Sequence, residues 1–454
     1  MRPRLDGEAD PNGNWVKLRP FLKDSKLGRM RTPPELKQFE LYSLKYPHVN
    51  EGQAIDRLID SAPDIFDMAL AFDLRLDFGA PPILTWHDDA AILYALRNVN
   101  RLQVVANKHA RLTQDWSLAL RVAAARQALA VGMYGESIHY LALSALRDYT
   151  TNTFKDALAT VRTRACPMQV AFKTLRHLIA IDAAMDQFDF SRAMGAGICR
   201  ETWDHWLVQV PAAEAAMDHP LIMVLDSDDP VDQLHLLCLQ EVDKNPASLN
   251  RQATLRMLIA NSAAIAEWFD LPVPEISQRI HRDKETTRQA TDPAVFRIYS
   301  LLHETGPDEI HAASQDDLAA TFRSTLRSTP NSYGKVLYLA WRTDGQSAVL
   351  WANHFTVQAA LRMACVEIAL RITATRLGRW PESLDDIDVP TMPEGFSLSD
   401  PTRVDARIGY DPERMILWCH EPEKDPTDKM EWVYWNGGLI LDLGPRTQFA
   451  LPQP

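Results

Sequence analysis

Residues 352–377 restrict the fold more than any other segment, because at helical periodicity their apolar side chains fall on two separate stripes. Val357, Leu361, Ala364, Cys365, Ile368 and Ile372 form one stripe, and Met363, Val366, Leu370 and Leu377 form the other. Arg362 and Arg376 lie on one ridge between them, Glu367 and Arg371 on the other. Such a helix must be covered on two sides, and its charges exclude a membrane span. The residues behind it change texture to short β-type runs at 407–410, 415–419, 431–435 and 438–443. Asp411-Pro412-Glu413-Arg414 is a turn between the first two, and Asn436-Gly437 is a two-residue hairpin signal between the last two. The C-terminal module is therefore expected to be antiparallel, with its sheet on one side of the two-striped helix and a helical body on the other.

The preceding residues read as helices. Thr85 with Asp88 makes a capping box, and Ile92, Ala95, Leu96, Val99, Leu102 and Ala106 follow on one face. Residues 116–131 and 135–149 are Ala/Leu-rich and separated by Gly132-Met133-Tyr134, the pattern of a helical hairpin turning at the glycine. Cys166-Pro167, Asp229-Pro230, Asn245-Pro246 and Asp292-Pro293 mark further helix starts. The expected fold is mainly α: an irregular, solenoid-like antiparallel helical array with a small C-terminal α+β module. The expected division is a basic extended arm at 1–50 with room for one short helix, a helical body at 51–345, and the long helix with its hairpin module at 346–454.

Charge narrows the partners. The net charge is −12, yet residues 1–50 carry ten Lys+Arg against six Asp+Glu, so the body is more acidic still. An acidic body is a poor surface for phosphate backbones, which excludes nucleic acid as the main partner. The basic arm leaves contact with an anionic membrane surface open, beside the simpler reading of a solvated segment. No signal peptide or spanning stretch is legible, so the expectation is a soluble chain, cytoplasmic by default. Five dispersed cysteines, Cys166, Cys199, Cys238, Cys365 and Cys419, read as buried reduced thiols rather than a disulfide framework or zinc site.

Gly378-Arg379-Trp380-Pro381-Glu382-Ser383-Leu384-Asp385-Asp386-Ile387, directly behind the long helix, resembles the G-x-[YFW]-P-x-x-L-x-x-[LI] segment of type II secretion pseudopilins. It is also similar to the C-terminal segment of a broad set of bacterial helical proteins of uncharacterised function. In those a helical body leads into the same helix, motif and small sheet. The pseudopilin likeness spans residues 352–443, and Asn331-Ser332-Tyr333-Gly334 adds to the likeness with the larger set. The resemblance implies a fold for the last hundred residues, and an envelope location if the N-terminus is incomplete. Pseudopilins place a prepilin-peptidase site and an apolar stretch before their helix, and this sequence shows neither. Their calcium loop does not carry over to Trp435-Asn436-Gly437-Gly438.

Local motifs offer chemistry at several places, each with a plainer structural reading. Glu136-Ser137-Ile138-His139 has the E-x-x-H spacing of a di-iron ligand pair but no second copy, so a half-exposed polar helix face is preferred. His87-Asp88-Asp89 resembles an HD-type metal motif, yet acids in a first helical turn are favoured by the helix dipole alone. Asp226-Ser227-Asp228-Asp229 lacks the glycine and distal glutamate of an EF-hand loop and reads as a cap. Glu201-Thr202-Trp203-Asp204-His205-Trp206 could line a peptide or glycan groove or pack inside. His235 and Cys238 read as core. No nucleophile elbow, zincin or Walker motif occurs, and no cofactor or metal ligand set can be assembled.

The hairpin at 431–443 is apolar on both faces: Trp432 and Tyr434 share one with Leu439 and Leu441, and Val433 and Trp435 share the other with Ile440. One face can pack on the long helix, and the other is either covered or a partner surface centred on Trp432, Tyr434 and Trp435. The reading that follows is an interaction or scaffold protein with a protein partner and no catalytic residues. A metal-dependent hydrolase built from dispersed His, Asp and Glu, and a peptide- or glycan-binding helical groove, are the alternatives.

Overall fold

Asp115 fixes the start of a helix at Trp116, its Oδ1 accepting from the Leu118 amide at 3.0 Å. In the computed structural model, residues 12–18, 21, 55–57, 59–60, 63–79, 86–136, 140–163, 165–189, 193, 244–266, 268, 273–303, 315–343, 346–389, 392–403, 405–419 and 439–443 are described. Their helices are α1 (Asn14–Leu18), α2 (Pro63–Ala69), α3 (Trp86–Thr113), α4 (Trp116–Gly135), α5 (Tyr140–Val161), α6 (Met168–Asp186), α7 (Arg251–Ala266), α8 (Val273–Ala290), α9 (Pro293–His303), α10 (Gln315–Ser328), α11 (Ser332–Thr343) and α12 (Gln346–Leu377). The described strands are β1 (Gly409–Asp411), β2 (Ile416–Cys419) and β3 (Leu439–Asp442). The protein is mainly helical with a small antiparallel sheet near the C-terminus.

The chain divides into two compact units. The first comprises Met1–Ile83, Ala91–Asp189 and Asn353–Pro454; the second comprises Leu84–Ala90 and Phe190–Ala352.

In the first unit α4 packs on α5 and, more extensively, on α6. Ala95, Leu96, Val99, Leu102 and Ala106 of α3 are buried, as the face read from the sequence requires. Polar side chains tie α3 inward: Tyr149 Oη donates to Gln103 Oε1 at 2.6 Å, and Gln103 Nε2 donates to the Ala69 carbonyl at 2.8 Å. α1 docks on the segment after α2, where Asn14 Oδ1 accepts from the Asp73 amide and Trp15 meets Phe78 edge-on.

The helical hairpin is real, but its turn is not at Gly132. α4 runs through that glycine to Gly135 and is capped by Glu136. A side chain at 132 would press on Phe78, its Cβ standing 3.1 Å from the phenylalanine Cβ, so the glycine serves close packing rather than a turn. The sequence signal was correct about residue type and wrong about purpose.

Residues 353–377 of α12 belong to this unit, and every residue from 357 to 374 is buried. Covering on all sides agrees with the two-striped pattern, except that Leu377, assigned to the second stripe, is 47% exposed at the helix end. The Gly378 motif then explains itself. Gly378 takes φ of 69°, the left-handed conformation that terminates helices. Trp380 lies beneath the Arg371 guanidinium, 5.7 Å from its ring centre. The Pro381 carbonyl accepts from Tyr410 Oη at 3.1 Å, and Ser383 with Asp386 forms a capping box over a short 3₁₀ turn. The sheet has the order β1-β2-β3, both pairs antiparallel, with Asp411 opposite Ile416 and Leu417 opposite Leu441. Asp411 Oδ1 accepts from the amides of Glu413 and Arg414, which makes the expected turn. The 431–435 run and the Asn436-Gly437 turn lie outside the described residues.

The second unit gathers α7, α8, α9 and α10 around α11. Asp292 caps α9, accepting from the Ala294 amide at 2.9 Å, as Asp292-Pro293 signals. Asn245-Pro246 instead starts a 3₁₀ turn, Pro246–Ser248. The Asn245 carboxamide is used elsewhere, donating to the Leu326 carbonyl at 2.9 Å, and Asn250 caps the helix that follows by accepting from the Ala253 amide. Asn331, at φ of 52°, accepts from the Asn250 amide and the Thr254 hydroxyl. A methyl on Gly334 would overlap these two side chains, which gives Asn331-Ser332-Tyr333-Gly334 a packing reason.

Candidate functional site

Three charged groups occupy helix positions that packing would give to apolar residues, and each is held by partners from another element. The first is Arg362, with 6% of its side chain exposed. Its Nε donates to Asp182 Oδ1 and Oδ2 at 3.0 and 2.9 Å, its Nη2 to both Asp186 oxygens at 2.7 Å, and its Nη1 to Ser399 Oγ at 2.8 Å. Gln358, one turn earlier, donates to Asp186 Oδ1 at 2.6 Å. α12 is thereby clasped to α6 and to the segment before β1 by one guanidinium whose planar fork matches the carboxylates.

Burial pushes the Asp182 carboxyl up to about 6 from its usual 3.8, against the pull of Arg362 and with some help from Asp186. A carboxyl whose folded value is raised contributes stability below its unfolded value and loses it as pH rises through the folded one. Between pH 4 and 7 the first unit is therefore expected to weaken by about 2 kcal/mol through Asp182 alone. Urea unfolding across that range measures it. The slope should flatten in Asp182→Asn, and an unchanged slope in that variant assigns the effect to another group.

The second group is Glu367, which is fully buried. It accepts from Arg162 Nε and Nη2 at 2.8 and 2.7 Å and from Arg371 Nε at 2.7 Å, which joins the end of α5 to α12. Arg371 Nη2 reaches the Leu443 carbonyl at 3.4 Å, beyond β3. The first clasp holds two carboxylates to one guanidinium, the second two guanidinia to one carboxylate.

The third group is Arg126 on α4. Nη1 donates to the Asn152 carbonyl at 3.1 Å and Nη2 stands 2.8 Å from Asp156 Oδ2. This pair lines a small cavity of mixed character, with Asn107, Thr153, Thr174 and His177 beside alanines, Val122 and Leu178, and the cavity has space for about one water molecule. Burial raises the Asp156 carboxyl and lowers the His177 imidazole, which bonds to Gln127. A charged pair beside an imidazole with displaced proton affinities is the composition of many catalytic sites. The cavity is too small for an organic substrate.

The motifs singled out in the sequence fall differently. Glu136 lies at the end of α4 and not within a helix, and its Oε1 accepts from the Gly79 amide at 2.6 Å, so it fastens a loop. His87, Asp88 and Asp89 lie in the first turn of α3. Cys166, Cys365 and Cys419 are buried thiols outside any disulfide, and burial pushes Cys166 up to about 12. Residues 201–206 and 226–229, His235, Cys199, Cys238, and the proposed partner surface of Trp432, Tyr434 and Trp435 lie outside the described residues. Among the described residues no cluster of three or more His, Cys, Asp or Glu side chains is placed to hold a metal, and no helix is long and apolar enough to cross a membrane.

Sequence inspection placed Arg362, Glu367 and Arg371 on α12 but not their partners. Asp182 and Asp186 lie one turn apart in Ile-Ala-Ile-Asp-Ala-Ala-Met-Asp, and Arg126 lies in Ala-Ala-Ala-Arg-Gln-Ala-Leu. A charge set within a locally apolar stretch of helix was the signal available. No protein family, curated protein or solved structure matches the chain.

Proposed function

We propose that this protein is a non-enzymatic interaction or scaffold protein, built to present a rigid C-terminal helix-and-sheet module to a protein partner, with an envelope or secretion setting suggested by the pseudopilin-like segment. The observation that supports it is the use of charge around α12. Arg362, Glu367 and Arg371 hold helices and strand ends together, so the ionisable groups of this core act as fasteners. The partner surface is the aromatic run at 432–435, where Trp432 and Tyr434 share one face and Trp435 lies on the other.

The test is capture from native cells with the intact chain and with Trp432→Ala/Trp435→Ala as baits. A protein recovered near stoichiometry with the first bait and lost with the second supports the proposal. Equal recovery with both baits removes that surface. Stoichiometric metal on the purified chain, with a hydrolytic activity abolished by chelator, overturns the non-enzymatic reading.

A further inference from the structure

Arg126 is the largest fully buried side chain on α4, with 2% of its side-chain surface exposed. Its Nη2 is close to Asp156 Oδ2, but the N–H is not directed at that oxygen, so the pair is an ionic contact without an aligned hydrogen bond. Nε finds no acceptor in the described protein, and Asp156 Oδ2 no aligned donor. Both side chains line the same small cavity. A residue with an unsatisfied donor and one with an unsatisfied acceptor thus border a space of about one water's size.

We propose that this cavity is a binding site for one neutral molecule of water's size and hydrogen-bonding character, a water that accepts from Arg126 Nε and donates to Asp156 Oδ2. Three observations select that ligand. A guanidinium donor buried without an acceptor is costly, so a dry cavity is disfavoured. An anion would accept from Nε but would face the Asp156 carboxylate, which already neutralises the guanidinium. An organic ligand exceeds the volume. Water alone satisfies both atoms, and waters that pair otherwise unsatisfied buried polar groups are part of the fold. The water completes a link from Arg126 on α4 to Asp156 on α5, beside Thr174 and His177 of α6.

A high-resolution crystal structure of the full chain, grown in buffer with bromide as the sole halide, tests this. The expected result is one density peak within hydrogen-bonding distance of Arg126 Nε and Asp156 Oδ2, with no bromide anomalous signal. A bromide anomalous peak at that position would show an anion site and overturn the proposal. An absence of density in an otherwise ordered cavity would overturn it equally, by showing the pair to be dry.

Discussion

Arg362→Met is expected to destabilise the first unit by roughly 3–5 kcal/mol, because it leaves a carboxylate in the core without its counter-charge. Methionine keeps most of the apolar stem, so the loss falls on the guanidinium. The two acids do not share the penalty equally. Asp186 has 54% of its side chain exposed and can take up water, whereas Asp182 has 4% and cannot. Acid should therefore relieve the defect: once Asp182 takes a proton, no charge is stranded, and the variant should approach the native chain below the range where the carboxyl titrates. Pairing Arg362→Met with Asp182→Leu should also cost less than Arg362→Met alone, since an apolar pair strands nothing. Urea midpoints for the native chain, the single variant and the double variant at pH 5 and 7 decide the matter. Equal midpoints for native and single variant at pH 7 would show that the clasp contributes nothing net.

The two-striped pattern of 352–377 made the sandwiched helix legible, because burial on two sides leaves a mark in one segment's own periodicity. The Asp411-Pro412 turn was legible because it acts through local backbone geometry. What escaped was whatever depends on a distant partner. Gly132 reads as a turn until Phe78 is seen against it. Asn245 reads as a helix cap until its carboxamide is found on the Leu326 carbonyl, 81 positions away. The clasps are the extreme case. Asp182 and Arg362 are separated by 180 residues, and Arg162 and Glu367 by 205. Each looks like an exposed charge in an amphipathic helix, and only the packing of two helices turns it into a buried one. The Arg126 cavity escaped for the same reason, since its lining is drawn from four separate helices, α3, α4, α5 and α6.

The clasps also constrain α12 as a lever. Arg362 fixes it to α6, and nine positions later Arg371 fixes it toward the chain beyond β3. The two attachments lie on opposite ridges, so neither can loosen without exposing an unmatched charge from the other side of the helix. A module held this way is pre-organised, and pre-organisation lowers the ordering cost of binding a partner. That connects the proposed function to the energetics of the core.

Glu367→Ala is the complementary experiment, and it too is expected to cost roughly 3–5 kcal/mol, now by stranding positive charge. Arg162 has 36% of its side chain exposed and can swing toward water; Arg371 has 3% and cannot. Burial already weakens the hold of Arg371 on its proton despite Glu367, so removal of the carboxylate leaves an ion the core does not tolerate. The Trp380 face remains within reach, but a cation–π contact supplies only about 0.5–2 kcal/mol, less than the carboxylate gave. Glu367→Gln should fall between, because an amide oxygen can accept from one arginine while its NH₂ confronts the other. Arg371→Leu added to Glu367→Ala should recover part of the loss. A surface pair would lose its value in high salt, whereas this one is expected to lose the same amount at 0.1 and about 1 M salt, being beyond the reach of screening ions. Chemical denaturation at both salt concentrations measures that difference. If the cost of Glu367→Ala collapses in high salt, the site is hydrated and the clasp is not a core element.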